Sequence, residues 1–175
     1  MNRQDFTKFL IIFTFEKTFL MSSKKTSSKL IVNFDISYSL FGISSSEQIF
    51  VASIELNKLI KINLSLCKSL ELKRNSNLLS FSTFSFNNHD CNLNYSLISN
   101  KTKDGFLLEN YKNLDYLFIV SSNEQNMLFK QDLFKKLRSE IFIVVSELKL
   151  TNKKEIELIN NVLYQLWTDT KYTHS

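Results

Sequence analysis

"LLENYKNLDYLFIV", residues 107–120, decides how the rest of the chain is read. Leu117, Phe118, Ile119 and Val120 form an unbroken apolar run that reads as a strand, and Asp115 and Tyr116 stand directly in front of it. An ionised carboxylate next to such a strand costs several kcal/mol unless it is hydrogen-bonded or paired. Asp115 is therefore either a site or a structural anchor. The spacing predicts that it opens the strand at its exposed end, after the Asn110–Asn113 turn, and caps that turn by accepting backbone N–H groups.

Working outward, the alternation of Phe34, Ile36, Tyr38 and Leu40 with polar neighbours predicts a half-buried strand from Asn33, and the domain opens near Leu30. The period then changes. Ser44 followed by Glu47 reads as a capping box, and Ile49, Ala52, Leu56, Leu59 and Ile60 fall at helical spacing, which predicts a helix over 45–60. Alternating leucines predict a strand from Ile62 to Leu72, and "LLSFSTFSF" (78–86) predicts another. "LNYSLIS" (93–99), "GFLLEN" (105–110) and "LDYLFIV" (114–120) continue the series as an antiparallel meander. Helices are predicted over 124–138, with Met127, Leu133, Phe134 and Leu137 inward, and over 152–168, with Ile156, Ile159, Val162, Leu163 and Leu166 inward; "EIFIVVSEL" lies between them as a strand.

These elements predict one α+β domain over 29–170, a mainly antiparallel sheet of about five to seven strands with about three helices on one face. Sixteen Phe and 43% hydrophobic residues suffice for a single core. With two Gly and no Pro, the chain has no glycine cradle for phosphate, and its turns depend on Asn, Asp and Ser.

The net charge of +5 is concentrated at the start. Arg3, Lys8, Lys17, Lys24, Lys25 and Lys29 face only Asp5 and Glu16, leaving 16 basic and 15 acidic groups beyond them. Residues 1–28 thus read as a basic extension, flexible or mis-annotated, with Met21 a plausible start. "FLIIFTF" (9–15) is too short for a membrane span of about 20 apolar residues, so no membrane partner is expected. Cys67 and Cys91 form no C-x-x-C pair, which points to reduced thiols in a cytosolic protein and to no zinc site.

"LENYKNLDY" (108–116) resembles the motif of the bacterial family named I-P-E-x-x-x-V-D-Y. Leu108 stands for its Ile and Leu114 for its Val, while Asp115 and Tyr116 match outright; Glu109 and Asn110 replace the Pro and the Glu. "LFGISSSEQIFVASIELNK" (40–58) looks like that family's strand-to-helix passage, and "SLISNK" (96–101) like its following strand and turn. The resemblance covers roughly residues 32–150. It implies a cytosolic α+β domain and brings no established activity. The missing Glu argues against that residue as an indispensable acid.

Other candidates weigh less. His89, Asp90 and Cys91 are adjacent, and adjacent residues rarely converge on one substrate, so a solvated hairpin turn is the better reading; the other histidine, His174, stands close to residue 175. Phe81, Phe84 and Phe86 resemble a base-stacking platform but lack basic neighbours, and read as a core face. Lys130, Lys135, Lys136 and Arg138 are candidate nucleic-acid contacts, although basic residues in a last helical turn also suit the helix dipole. No catalytic group, metal ligand set or cofactor motif emerges. The expectation is a non-enzymatic protein acting through a protein partner, with an RNA- or ribosome-associated role and an enzyme with an unrecognised site as the alternatives; the sequence sets no oligomeric state.

Overall fold

The computed structural model describes residues 37–74, 76–90, 92–122, 127–138 and 144–171, without the side chains of 127–131, 144 and 167–171. The extension over 1–28 with Met21, the onset at Leu30, Phe34 and Ile36, the helical start at 124–126, Cys91 and His174 lie outside the described residues.

A sheet of six strands forms the centre, in the order β10-β1-β9-β6-β5-β2 with every pairing antiparallel. Its strands are β1 (Ser37–Ser44), β2 (Ser65–Leu66), β5 (Thr83–Asn88), β6 (Leu93–Ser99), β9 (Tyr116–Ser122) and β10 (Val144–Glu147). Two hairpins stand apart from it, β3 (Leu70–Arg74) with β4 (Asn77–Phe81), and β7 (Lys101–Thr102) with β8 (Gly105–Phe106). The α+β class, the mainly antiparallel sheet and the three helices are as the sequence predicts. The middle strands β2, β5, β6 and β9 follow one another in the sheet as the predicted meander does, with the two hairpins set outside it, and β1 is inserted between β9 and β10.

Helices α1 (Ile49–Ile60), α2 (Met127–Leu137) and α3 (Lys153–Lys171) fall near their predicted places. Their layer differs from the prediction. Ala52 and Leu56 of α1 and Leu133 and Leu137 of α2 pack with Phe41, Ile43, Tyr95, Leu97, Tyr116 and Phe118 on one face of the sheet. Ile159, Val162, Leu163 and Leu166 of α3 pack with Leu40, Ile98, Leu117 and Ile119 on the other.

The topology explains this split. The β1-α1-β2 and β9-α2-β10 connections leave antiparallel strands and travel in opposite directions along the sheet, so a common handedness puts both helices on the same side. The remaining face needs a cover of its own. It receives α3, the β3–β4 hairpin and the 107–114 loop. Strands buried on both faces carry continuous apolar runs, and all seven residues of β9 are buried.

Three further differences are local. The predicted strand 62–72 is broken between β2 and β3, and the predicted strand 78–86 is broken at Ser82, whose carbonyl accepts the Ser99 N–H (2.9 Å). "GFLLEN" contributes only Gly105–Phe106 as strand and then turns into a short 3-10 segment, Glu109–Tyr111. Finally, α1 begins at Ile49, not at 45, with no side-chain cap on Gln48. Its far end closes through Asn57, whose side chain brackets Leu64 by accepting from its N–H (2.7 Å) and donating to its carbonyl (3.1 Å), while Lys61 turns left-handed at φ 56°.

Candidate functional site

The loop between β6 and β9 brings together the residues that the motif singles out. Asn100 lies at its root, fully buried. Its backbone N–H donates to the Asp115 carbonyl (2.8 Å), and its own carbonyl accepts from Leu107 N–H (2.8 Å). Side-chain Oδ1 accepts from Leu108 N–H (2.9 Å), and Nδ2 donates to the carbonyls of Tyr111 (2.8 Å) and Leu114 (3.1 Å). Every polar group of this buried amide is engaged, so the loop folds around it at little desolvation cost.

Two apolar anchors complete the loop. Leu108 and Leu114 are buried in the core that also contains α3. Leu114 lies directly over β1, so that a Cβ at Gly42 would run into its Cδ1. Gly42 thus permits the close approach, and a Cβ there would force the buried Leu114 side chain to shift. Arg74 ties the β3–β4 hairpin to the same loop, donating to the Phe106 carbonyl (3.0 Å) and to Glu109 Oε1 (2.5 Å).

Asp115 answers the question its sequence context raises. Its Oδ2 accepts from the Ser45 backbone N–H (2.9 Å) and the Ser44 hydroxyl (3.2 Å), and its Oδ1 accepts from Lys101 Nζ (2.7 Å). The carboxylate does accept a backbone N–H, but from the end of β1, some 70 residues away in sequence. It does not cap its own turn. The capping box is lost for the same reason: Ser44 Oγ is drawn to Asp115, and the Glu47 N–H is taken by Ser45 Oγ (3.1 Å).

Burial pushes the Asp115 pKa up, and the Lys101 hydrogen bond, the Ser45 N–H, the Lys101 charge and the Ser44 hydroxyl more than offset it, holding the carboxyl below its ordinary value. Tyr116, buried in the opposite core, donates its hydroxyl to the Glu47 carbonyl; burial, and then the Asp115 charge and Glu47, push its pKa above that of an ordinary phenol. The carboxylate stays ionised and the phenol stays protonated. Together they clamp the ends of β1 and β9 and the approach to α1.

The other candidates are dispersed. Lys135, Lys136 and Arg138 are exposed at the end of α2, with the Arg138 guanidinium over the Phe134 ring at 5.5 Å; Lys130 lies on α2 and its side chain is outside the described residues. His89 and Asp90 are exposed in the β5–β6 turn. Phe81 and Phe84 do not share a platform: one packs with α3, the other with α1, and Phe86 joins the second core beside Tyr95. Among the described residues no group of three His, Cys, Asp or Glu side chains could hold a metal, and no helix is long and apolar enough to cross a membrane.

Asn100 and Gly42 escaped the sequence reading, and each had one signal. Asn100 falls inside "SLISNK", and Gly42 is one of only two glycines. Neither signal reveals a role before the loop is folded over them. Set against models of known protein families and against curated proteins, the chain matches none.

Proposed function

We propose that this is a small cytosolic member of the I-P-E-x-x-x-V-D-Y family that acts, without catalysis of its own, by docking to a protein partner. The observation that carries this reading is a pair of bulky apolar side chains left in water one helical turn apart on α1, Phe50 (59% exposed) and Ile54 (37% exposed). Isolated exposed apolar residues are ordinary; an aromatic and a branched aliphatic side chain at i and i+4 on one helix form the kind of anchor that protein interfaces use. The engagement of Asp115 and Tyr116 inside the fold supports the same view, since their hydrogen-bonding capacity is directed at Ser44, Ser45 and Glu47 between β1 and α1 and at Lys101.

A tagged full chain, used to capture partners from its native cell extract with and without nuclease, tests the reading. A protein set that survives nuclease is expected. A set that disappears with nuclease overturns it in favour of RNA as the bridge, the second reading, which the exposed Lys135, Lys136 and Arg138 support. Phosphate contacts would then show steep weakening between low and moderate salt.

A further inference from the structure

The chain has two glycines, and only Gly105 follows an Asp or Asn. That step has a chemistry of its own. A backbone nitrogen can attack the side-chain carboxyl of the residue before it, and a Cβ on the attacking residue obstructs the approach; glycine has none. Asp104 and Gly105 lie at the turn of the β7–β8 hairpin, which stands outside the six-stranded sheet and pairs only Lys101 with Phe106 and Thr102 with Gly105. Asp104 is exposed. Whereas Asp115 is held by Ser44, Ser45 and Lys101, no group among the described residues holds the Asp104 carboxylate. The turn is fixed through its backbone: the Asp104 N–H donates to Thr102 Oγ1 (3.3 Å), and the Thr102 hydroxyl donates to the Gly105 carbonyl (3.2 Å). Asp90 is the natural comparison, exposed in the β5–β6 turn with its N–H on Asn88 Oδ1 (3.1 Å), but the residue after it is Cys91.

We propose that Asp104–Gly105 is a site of spontaneous isoaspartate formation in the folded protein, independent of any partner. The Gly105 nitrogen bonds to Asp104 Cγ and gives up its proton, a carboxyl oxygen leaves as water, and a five-membered succinimide results. Water then adds back to one of the two ring carbonyls. Cleavage of the new Cγ–N bond restores aspartate; cleavage of the original peptide C–N bond leaves the chain running through Cβ and Cγ, with the α-carboxylate as the side group. Mass and charge are unchanged, and the backbone is longer by one methylene. The fold permits the first step because a hairpin of two residue pairs opens locally at far lower cost than core strands do, which frees the Asp104 backbone to rotate. The added methylene ends the Thr102–Gly105 register and displaces the lead into Leu107 and Leu108, which Asn100 holds.

The test is to keep the full chain folded at neutral pH and physiological temperature for several weeks and to read its peptides by electron-transfer fragmentation, which tells isoaspartate from aspartate at each position. Isoaspartate is expected at position 104 at a rate about tenfold or more above that at Asp90. Gly105→Ala should slow it by about tenfold; the added Cβ meets only the end of the Leu79 side chain, at 3.3 Å. Should that variant melt early, Asp104→Glu gives the same loss, since its side chain would have to close a six-membered ring. Labelled methyl groups transferred from S-adenosylmethionine by an isoaspartyl carboxyl methyltransferase provide a second count, accepted by aged wild type and not by the variants. Equal accumulation at Asp90 and Asp104 would remove glycine as the determinant. Modification of the urea-unfolded chain alone would show that the hairpin protects the step. Either result overturns the proposal.

Discussion

Two regions at the same end of the sheet use their side chains in opposite ways. In the 100–116 loop the polar atoms that matter are turned inward: the Asn100 side chain holds three loop residues, Leu108, Tyr111 and Leu114, and Asp115 holds Ser44, Ser45 and Lys101. On α1, Phe50 and Ile54 are turned outward, although apolar groups gain from burial. The contrast teaches that the most conspicuous sequence feature, a carboxylate in front of an apolar strand, belongs to the architecture. The less conspicuous one, two apolar residues on the outer side of a helix, stays exposed, as Leu66, Leu78 and Tyr164 do elsewhere among the described residues.

The strongest way to break this comparison is at Asn100. Asn100→Ala removes the partner of Leu108 N–H and of two carbonyls within a buried loop, and stability should fall by about 3 kcal/mol or more in urea unfolding. A loss under about 1 kcal/mol would show that the loop does not depend on it. Gly42→Ala should cost about 1–3 kcal/mol through overpacking against Leu114. Combining it with Leu114→Ala should recover part of that loss, and strict additivity in the double-mutant cycle would remove the close approach as the cause.

Asp115→Asn should cost about 1–2 kcal/mol near neutral pH, a value discounted for the solvent that reaches Lys101. The sign with pH follows from the lowered pKa: the wild-type advantage is complete above the ordinary carboxylate range and is lost as pH falls through that range, about pH 4, towards the lower folded value. Equal unfolding midpoints for wild type and variant at neutral pH would refute the clamp. The smallest effect sharpens the contrast from the other side. Phe50→Ser/Ile54→Ser should change stability by no more than about 0.5 kcal/mol while partner capture is lost, and a large destabilisation would mean that these residues serve the fold after all.

What the sequence made legible was whatever local periodicity carries. The inward faces of α1 and α3 follow from apolar spacing, and β6 and β9 follow from their runs. Contacts distant in sequence decide the rest. Ser44 looks like a helix cap until Asp115, 71 residues on, takes its hydroxyl. "LLSFSTFSF" looks like one strand until Ser99 binds the Ser82 carbonyl and its two halves enter different sheets. Periodicity also says which side of a helix is buried, never against which face of a sheet, so α3 was misplaced. For Asp115 the sequence suggests its own turn as the donor, whereas the backbone N–H it meets belongs to Ser45, because a carboxylate's preference for backbone N–H groups does not say whose.

The position of β1 also governs how this chain acquires its structure. β1 forms one side of its ladder with β9, Ser37 opposite Ser122, and the other with β10, Phe41 opposite Glu147. Such long-range pairings carry a loop-closure cost that must be met before they add stability, and they slow folding. During synthesis β1 therefore waits with both edges unpaired until β9 leaves the ribosome, and its second edge waits for β10. The short helix α1 and the β5–β6 hairpin, built from local contacts, are the parts able to form in the meantime.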